Sequence, residues 1–214
     1  MAVCLRSEAK RNVRYVKFLG DGDSKSFSAV VESRPYGDLQ VEKPECIGHF
    51  SKRMGTRLRK LKQKLGGILL SDGKSIKGAG RLTDTHIEKL QMYYDNAIRS
   101  NVNDLNKMRE AVWAIYCHSL STDAAPNHIL CPSAPNTWCR YNKALAEKTS
   151  YTHKPVPKAV MEAIRPVFKD LVNPTLLRRC LHGKIQNVNE SFNNVVWSRL
   201  PKMIQTTTPV DFKM

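Results

Sequence analysis

The chain has 214 residues, 41% of them hydrophobic and 25% charged, which excludes disorder throughout and suffices for one domain, or one domain with an insertion. Its 35 Lys and Arg against 19 Asp and Glu leave a formal charge of +16. Such an excess points to a polyanionic partner, nucleic acid ahead of an anionic membrane surface, because each neutralised phosphate releases condensed counterions.

No window approaches the ~18 consecutive apolar residues that a bilayer span requires. The opening MAVCLRSEAKRNVRYVKF has no apolar stretch long enough for a secretory signal. The six cysteines are therefore expected in a reducing, intracellular setting, where burial or metal binding is commoner than disulfide formation.

In chain order, residues 7–14 are polar and basic and suit a helix end. Tyr15 to Leu19 is rich in β-branched and aromatic residues and reads as a short strand. It runs into Gly20-Asp21-Gly22-Asp23-Ser24, after which Phe27, Val30 and Val31 fall at helical spacing. Arg34 to Asp38 forms a turn, and a second short strand is expected from Leu39 to Lys43, ending near Pro44. Cys46-Ile47-Gly48-His49 opens a long helix whose apolar stripe is Phe50, Met54, Leu58, Leu61 and Leu65. Residues 66–81, rich in Gly, Ser and Lys, read as a basic loop.

A helix start follows at Thr83 or Thr85, the latter offering a capping box with Glu88. Ile87, Leu90, Tyr94, Ala97 and Ile98 make its buried face, and Leu105, Met108, Val112 and Ile115 make that of the next helix, an antiparallel pair. Across 117–141 periodicity disappears while Cys, His, Pro and Trp rise. Helix returns over 155–171, interrupted by Pro166, then a turn at Asn173-Pro174, a short helix from Thr175 to Leu181, and a last one capped by Asn189.

Three groups of residues carry possible chemistry. Asp21 and Asp23 stand where a carboxylate can project from a strand end towards a hard cation, although Asp and Gly are also the ordinary residues of a solvated turn. Glu190 opens a helix, where a carboxylate is favourable for that reason alone. Between them, Cys46 and His49 form a Cys-x2-His.

The order of these features, in the stretches GDGDSKSF, ECIGHFSKRMGTRLRKL and CLHGKIQNVNESFNNVVW, resembles the catalytic domain of Mutator-like transposases over about residues 8–200. The resemblance implies an α/β, ribonuclease-H-like core, here incomplete with two short strands, carrying a mainly helical insertion. It also implies DNA strand transfer by carboxylates holding two Mg²⁺ ions, and a nuclear setting. Asp21 matches the second carboxylate of the family's triad, with Asp23 as its neighbour and alternative, and Glu190 matches the third. Cys46 and His49 match the family's Cys-x2-His. The first carboxylate would lie upstream of everything seen, so the segment is expected to be an inactive piece of the domain. Its first strand would present an open edge, implying self-association or pairing with the absent N-terminal part. The alternative is a non-enzymatic, transposon-derived nucleic-acid-binding protein.

His118, His128, Cys131 and Cys139 fall within 22 residues, with Cys117 as a spare, and four N/S donors suit tetrahedral Zn²⁺. A structural zinc is expected, stapling the loop between the helical pair and the final helices; a loop rich in Cys and His by chance is the other reading. Lys52, Arg53, Arg57, Arg59, Lys60, Lys62 and Lys64 share one helix without an intervening acid and are candidate DNA-phosphate contacts, against the plainer reading of a solvated face. The expected units are a partial core over 1–65, a helical insertion over 66–182 with its zinc loop at 117–141, a helix over 183–200 and a tail over 201–214.

Overall fold

Phe50, Met54 and Leu58 recur every four residues, and all three are fully buried. That stripe lies on α3 (Ile47–Lys64), the longest helix of the computed structural model, which describes residues 2–19, 24–134, 137–185, 191–192, 194–195 and 198–199. Before it come α1 (Ala2–Arg11) and α2 (Ser24–Ser33); after it come α4 (Asp84–Arg99), α5 (Leu105–Leu120), α6 (Arg140–Glu147), α7 (Lys158–Leu171) and α8 (Pro174–Arg178).

Helix α3 packs on α4, α4 on α5, α5 on α7, and α7 returns to α3, so four helices surround one core; α8 rests on α5. Each contributes an apolar face at helical spacing: Ile87, Leu90, Tyr94 and Ile98 from α4, Met108, Val112 and Ile115 from α5, Val160, Ile164, Phe168 and Leu171 from α7. Full burial of one such side chain is worth roughly 1.5–3 kcal/mol. Tyr94 ties the ring together. Its ring stacks on Phe50 at 5.9 Å and its hydroxyl donates to the Leu171 carbonyl at 3.0 Å. Leu171 ends α7, where carbonyls lack intrahelical partners, so the bond satisfies an orphan acceptor.

Local signals fix the helix starts. Thr83, rather than Thr85, caps α4 by accepting from the His86 N–H, and Asp104 caps α5 by accepting from that of Lys107. Asn173 caps α8 and Pro174 takes its first position, where a missing N–H costs nothing. Helix α7 runs through Pro166, which sits on an exposed face of the helix.

The expected α/β, ribonuclease-H-like core is overturned: the named elements among the described residues are eight helices, with no strand. The two segments read as strands do meet, but only at one parallel bridge between Lys17 and Glu42. Two backbone hydrogen bonds hold it, Phe18 N–H to Glu42 at 2.8 Å and Glu42 N–H to Val16 at 2.9 Å. A parallel pair becomes a sheet when further strands flank it and both faces are covered. Here Tyr15, Val16 and Leu39 remain exposed, and Pro44, which has no N–H, ends the second segment two residues past the bridge.

Candidate metal centre

The chain leaves α5 at Ser121 and enters α6 at Cys139, and the irregular segment between them folds back on the end of α5. His118, from the last turn of α5, meets His128 and Cys131 from the loop and Cys139 from the start of α6. One donor atom from each lies within 4.8 Å of the others. His118 Nδ1 and His128 Nδ1 are 3.1 Å apart. Cys131 Sγ stands 3.7 and 3.8 Å from these nitrogens, and Cys139 Sγ 3.7 and 3.6 Å. Tetrahedral Zn²⁺, with bonds of about 2.0 Å to nitrogen and about 2.3 Å to sulfur, separates its donors by roughly 3.3–3.8 Å. The donor set therefore fits a tetrahedral N₂S₂ metal site.

The surroundings hold these donors in place. His128 Nε2 lies 2.8 Å from the buried Ser121 hydroxyl, whose oxygen also accepts the Asn127 N–H at 3.0 Å. Its ring stacks on Tyr141 at 4.1 Å. The Asn142 side chain donates to the Cys131 and Pro132 carbonyls at 3.3 and 3.2 Å, and its backbone N–H reaches Cys139 Sγ at 3.5 Å. Cys139 thus sits at the N-terminus of α6 with its sulfur against a backbone amide.

Burial sets the protonation of the metal-free cluster. It lowers the His118 pKa to about 4, with the neighbouring His128 next in effect, and it lowers His128 as well. Burial, followed by the charge of Cys139, pushes the Cys131 thiol well above its ordinary value. Two neutral imidazoles beside two thiols are what a divalent metal requires once the thiol protons leave. Cys117 stands outside this group; its thiol is raised by burial and tempered by Asn127.

A family model described as Mutator-like transposase matches residues 1–139. The chain belongs to the Mutator-like transposase family. No curated protein and no solved structure matches it. The matched residues of this transposase-family chain take in Asp21, Asp23, Cys46, His49, the basic helix and the four cluster donors, and end before Glu190.

Asp21, Asp23 and Glu190 lie outside the described residues. Cys46 caps α3 and is buried, with His49 in the first turn behind it; neither joins a group of three or more possible ligands among the described residues. Four of the seven basic residues are engaged in ion pairs. Arg53 meets Glu45 at 2.8 Å, Arg57 meets Asp170 at 3.2 Å, Lys62 meets Asp84 at 3.1 Å and Arg59 approaches Glu88 at 3.9 Å. Lys52, Lys60 and Lys64 have no ion pair among the described residues.

Sequence reading missed His153. Its ring lies edge-on to His118 and His128 with centroids 5.0 and 5.5 Å away, and it is buried. It sits alone between Thr152 and Lys154, 14 residues after Cys139, outside the loop whose composition drew attention. Among the described residues no helix is long and apolar enough to cross a membrane.

Proposed function

We propose that these residues form a DNA-binding part of a Mutator-like transposase, acting in the nucleus and braced by one structural Zn²⁺ on His118, His128, Cys131 and Cys139. The family match over residues 1–139 carries this reading. The net charge of +16 and the N₂S₂ geometry support it. His118, His128, Cys131 and Cys139 would hold the zinc as neutral imidazoles and thiolates on a pre-shaped loop, and a zinc bound there would tie α5, the loop and α6 together. Lys52, Lys60 and Lys64, which make no ion pair among the described residues, are the helix's candidates for phosphate contact. Cleavage by the family's chemistry takes three carboxylates on two Mg²⁺, and the sequence offers Asp21, with Asp23 beside it, and Glu190. The activity proposed for these residues is DNA binding.

The test is fluorescence anisotropy of zinc-saturated protein with a duplex of arbitrary sequence, over a range of salt. Affinity should fall steeply with salt, and combined Lys52→Ala, Lys60→Ala and Lys64→Ala should flatten the log–log slope by about three. Arg57→Ala, which removes a cation already neutralised by Asp170, should flatten it less. Salt-independent binding would refute the assignment.

A further inference from the structure

Beside the metal centre lies a second concavity. It is a cavity of about 300 Å³ walled by α4, the end of α5, the first residue of α6 and the segment 151–156. Lys89, Arg140 and Lys154 line it, and no carboxylate does among the described residues. None of these three cations makes an ion pair among the described residues. Asp123, the acid whose charge acts on His153 and Tyr151, accepts the His153 backbone N–H at 2.8 Å and is not part of the wall.

Three exposed cations converging on one hollow repel each other, and an anion seated among them would turn that repulsion into attraction. The positive field is already felt by a neighbouring group. After burial, the charge of Lys89 is a further cause of the lowered pKa of His86. His153, also in the wall, is buried with neither ring nitrogen in a hydrogen bond; the His118 carbonyl approaches the ring outside bonding geometry. Such a group is costly to bury without a partner. Tyr93 and Tyr151 complete the site with aromatic surface, and Lys89 Nζ lies 5.6 Å over the Tyr93 ring.

Size narrows the ligand. The volume lies at the lower end of small-molecule pockets, roughly 300–1,000 Å³, and admits one nucleotide rather than a duplex. We infer that this cavity is a phosphate-binding subsite for a single unpaired nucleotide bearing a 5′-phosphate, its phosphate held by Lys89, Arg140 and Lys154 and its base set against Tyr93 or Tyr151. Arginine's fork of donors matches phosphate oxygens, and aromatic faces stack bases without sequence preference. The inference rests on the DNA-binding reading above, but on different residues.

The experiment titrates the zinc-saturated full chain calorimetrically with a 5′-phosphorylated thymidine dinucleotide, its unphosphorylated counterpart and inorganic phosphate. The phosphorylated dinucleotide should bind at least about tenfold more tightly than either, the scale of one charge-assisted hydrogen bond. Lys89→Ala and Lys154→Ala should each weaken it about tenfold, and Lys154→Glu more. Both lysines are exposed, so these variants should melt like the parent. Equal affinity for inorganic phosphate, or a Lys154→Glu variant that binds the dinucleotide unchanged, overturns the subsite. The outcome also separates the two readings. Salt-dependent duplex binding through Lys52, Lys60 and Lys64 without dinucleotide binding refutes this inference alone. Dinucleotide binding without duplex binding refutes the broader reading alone.

Discussion

His118 and His128 face each other through their Nδ1 atoms at 3.1 Å, with both sulfur atoms of Cys131 and Cys139 closing on the same point. In a neutral pair at that distance, one nitrogen must carry a proton and the other accept it, or both lone pairs must turn to a cation. The Ser121 hydroxyl completes the circuit. If His128 Nδ1 binds a metal, Nε2 carries the proton and donates it to Ser121 Oγ at 2.8 Å. Without metal, Ser121 can donate to Nε2 instead, and the Nδ1 proton then bridges the two rings.

Burial holds His118 at about 4 and lowers His128, so both are neutral near pH 7, and burial keeps the Cys131 thiol protonated. Zinc binding at pH 7 should release protons from sulfur, that of Cys131 among them, and none from imidazole, detectable with a pH indicator in weak buffer. Zinc affinity should rise with pH across the neutral range. For the metal-free chain the sign is set by His118. Its unfolded form takes up a proton near the ordinary pKa of about 6.5 and its folded form near 4. Stability should therefore be fully present above that ordinary value and decline as pH falls towards 4, because the unfolded state binds more protons there. Absence of proton release, or stability that rises on acidification through this window, would contradict the assigned states.

Ser121→Ala tests the support of the ligand rather than the ligand. The side chain is fully buried and serves both His128 Nε2 and the Asn127 N–H. Its loss should lower zinc affinity about 10–100-fold, the usual range for outer ligand contacts, while leaving one zinc per chain. Cys139→Ser should instead remove a ligand. Competition with a chelator of known affinity distinguishes the two, and an unchanged affinity in Ser121→Ala would show that Tyr141 and the loop alone orient the ring.

What the sequence disclosed depended on the range of each interaction. The stripe Phe50, Met54, Leu58 is a helix's own periodicity, and Thr83 and Asp104 act on groups three residues away, so such features can be read locally. The Cys/His cluster was legible because nitrogen and sulfur donors separated by two residues, His128 and Cys131, have a chemical meaning without a fold. Tyr15 to Leu19 misled for the opposite reason. Branched and aromatic residues suit any extended segment, and whether it becomes a strand depends on neighbours that its own residues do not specify. The pairing of α3's cations was hidden too, because Arg57 finds its acid 113 residues away at Asp170. His153 is brought to the cluster by α6 and the turn behind it, and no spacing rule reaches that far.

Tyr94→Phe removes one hydroxyl from the centre of the four helices. The Leu171 carbonyl then loses a 3.0 Å donor while packing against Phe50 is kept. The expected loss is about 0.5–1.5 kcal/mol in urea unfolding with an unchanged m-value. Tyr94→Ala should cost about 3–5 kcal/mol, because it also opens a cavity in the core. A Phe variant as stable as the parent would show that water or a shifted α7 terminus takes over the bond.

Glu45 is the charge that joins the start of α3 to the end of α8. Its carboxylate is only 5% exposed and meets Arg53 at 2.8 Å and Arg179 at 3.5 Å. Its backbone repeats the link, donating to the Arg179 carbonyl at 3.0 Å and accepting from His182 Nε2 at 3.1 Å. Breaking a fully buried pair costs about 3–5 kcal/mol. Both arginines are partly solvated and can hydrate when left alone, so Glu45→Ala should cost less, about 2 kcal/mol. Glu45→Gln keeps the volume and one acceptor and should cost roughly half as much, about 1 kcal/mol. The order of the two variants in denaturant unfolding of zinc-saturated protein is the informative result. If Gln were as harmful as Ala, charge would hold this junction; if neither moved the midpoint, the backbone bonds to Arg179 and His182 would suffice to hold it.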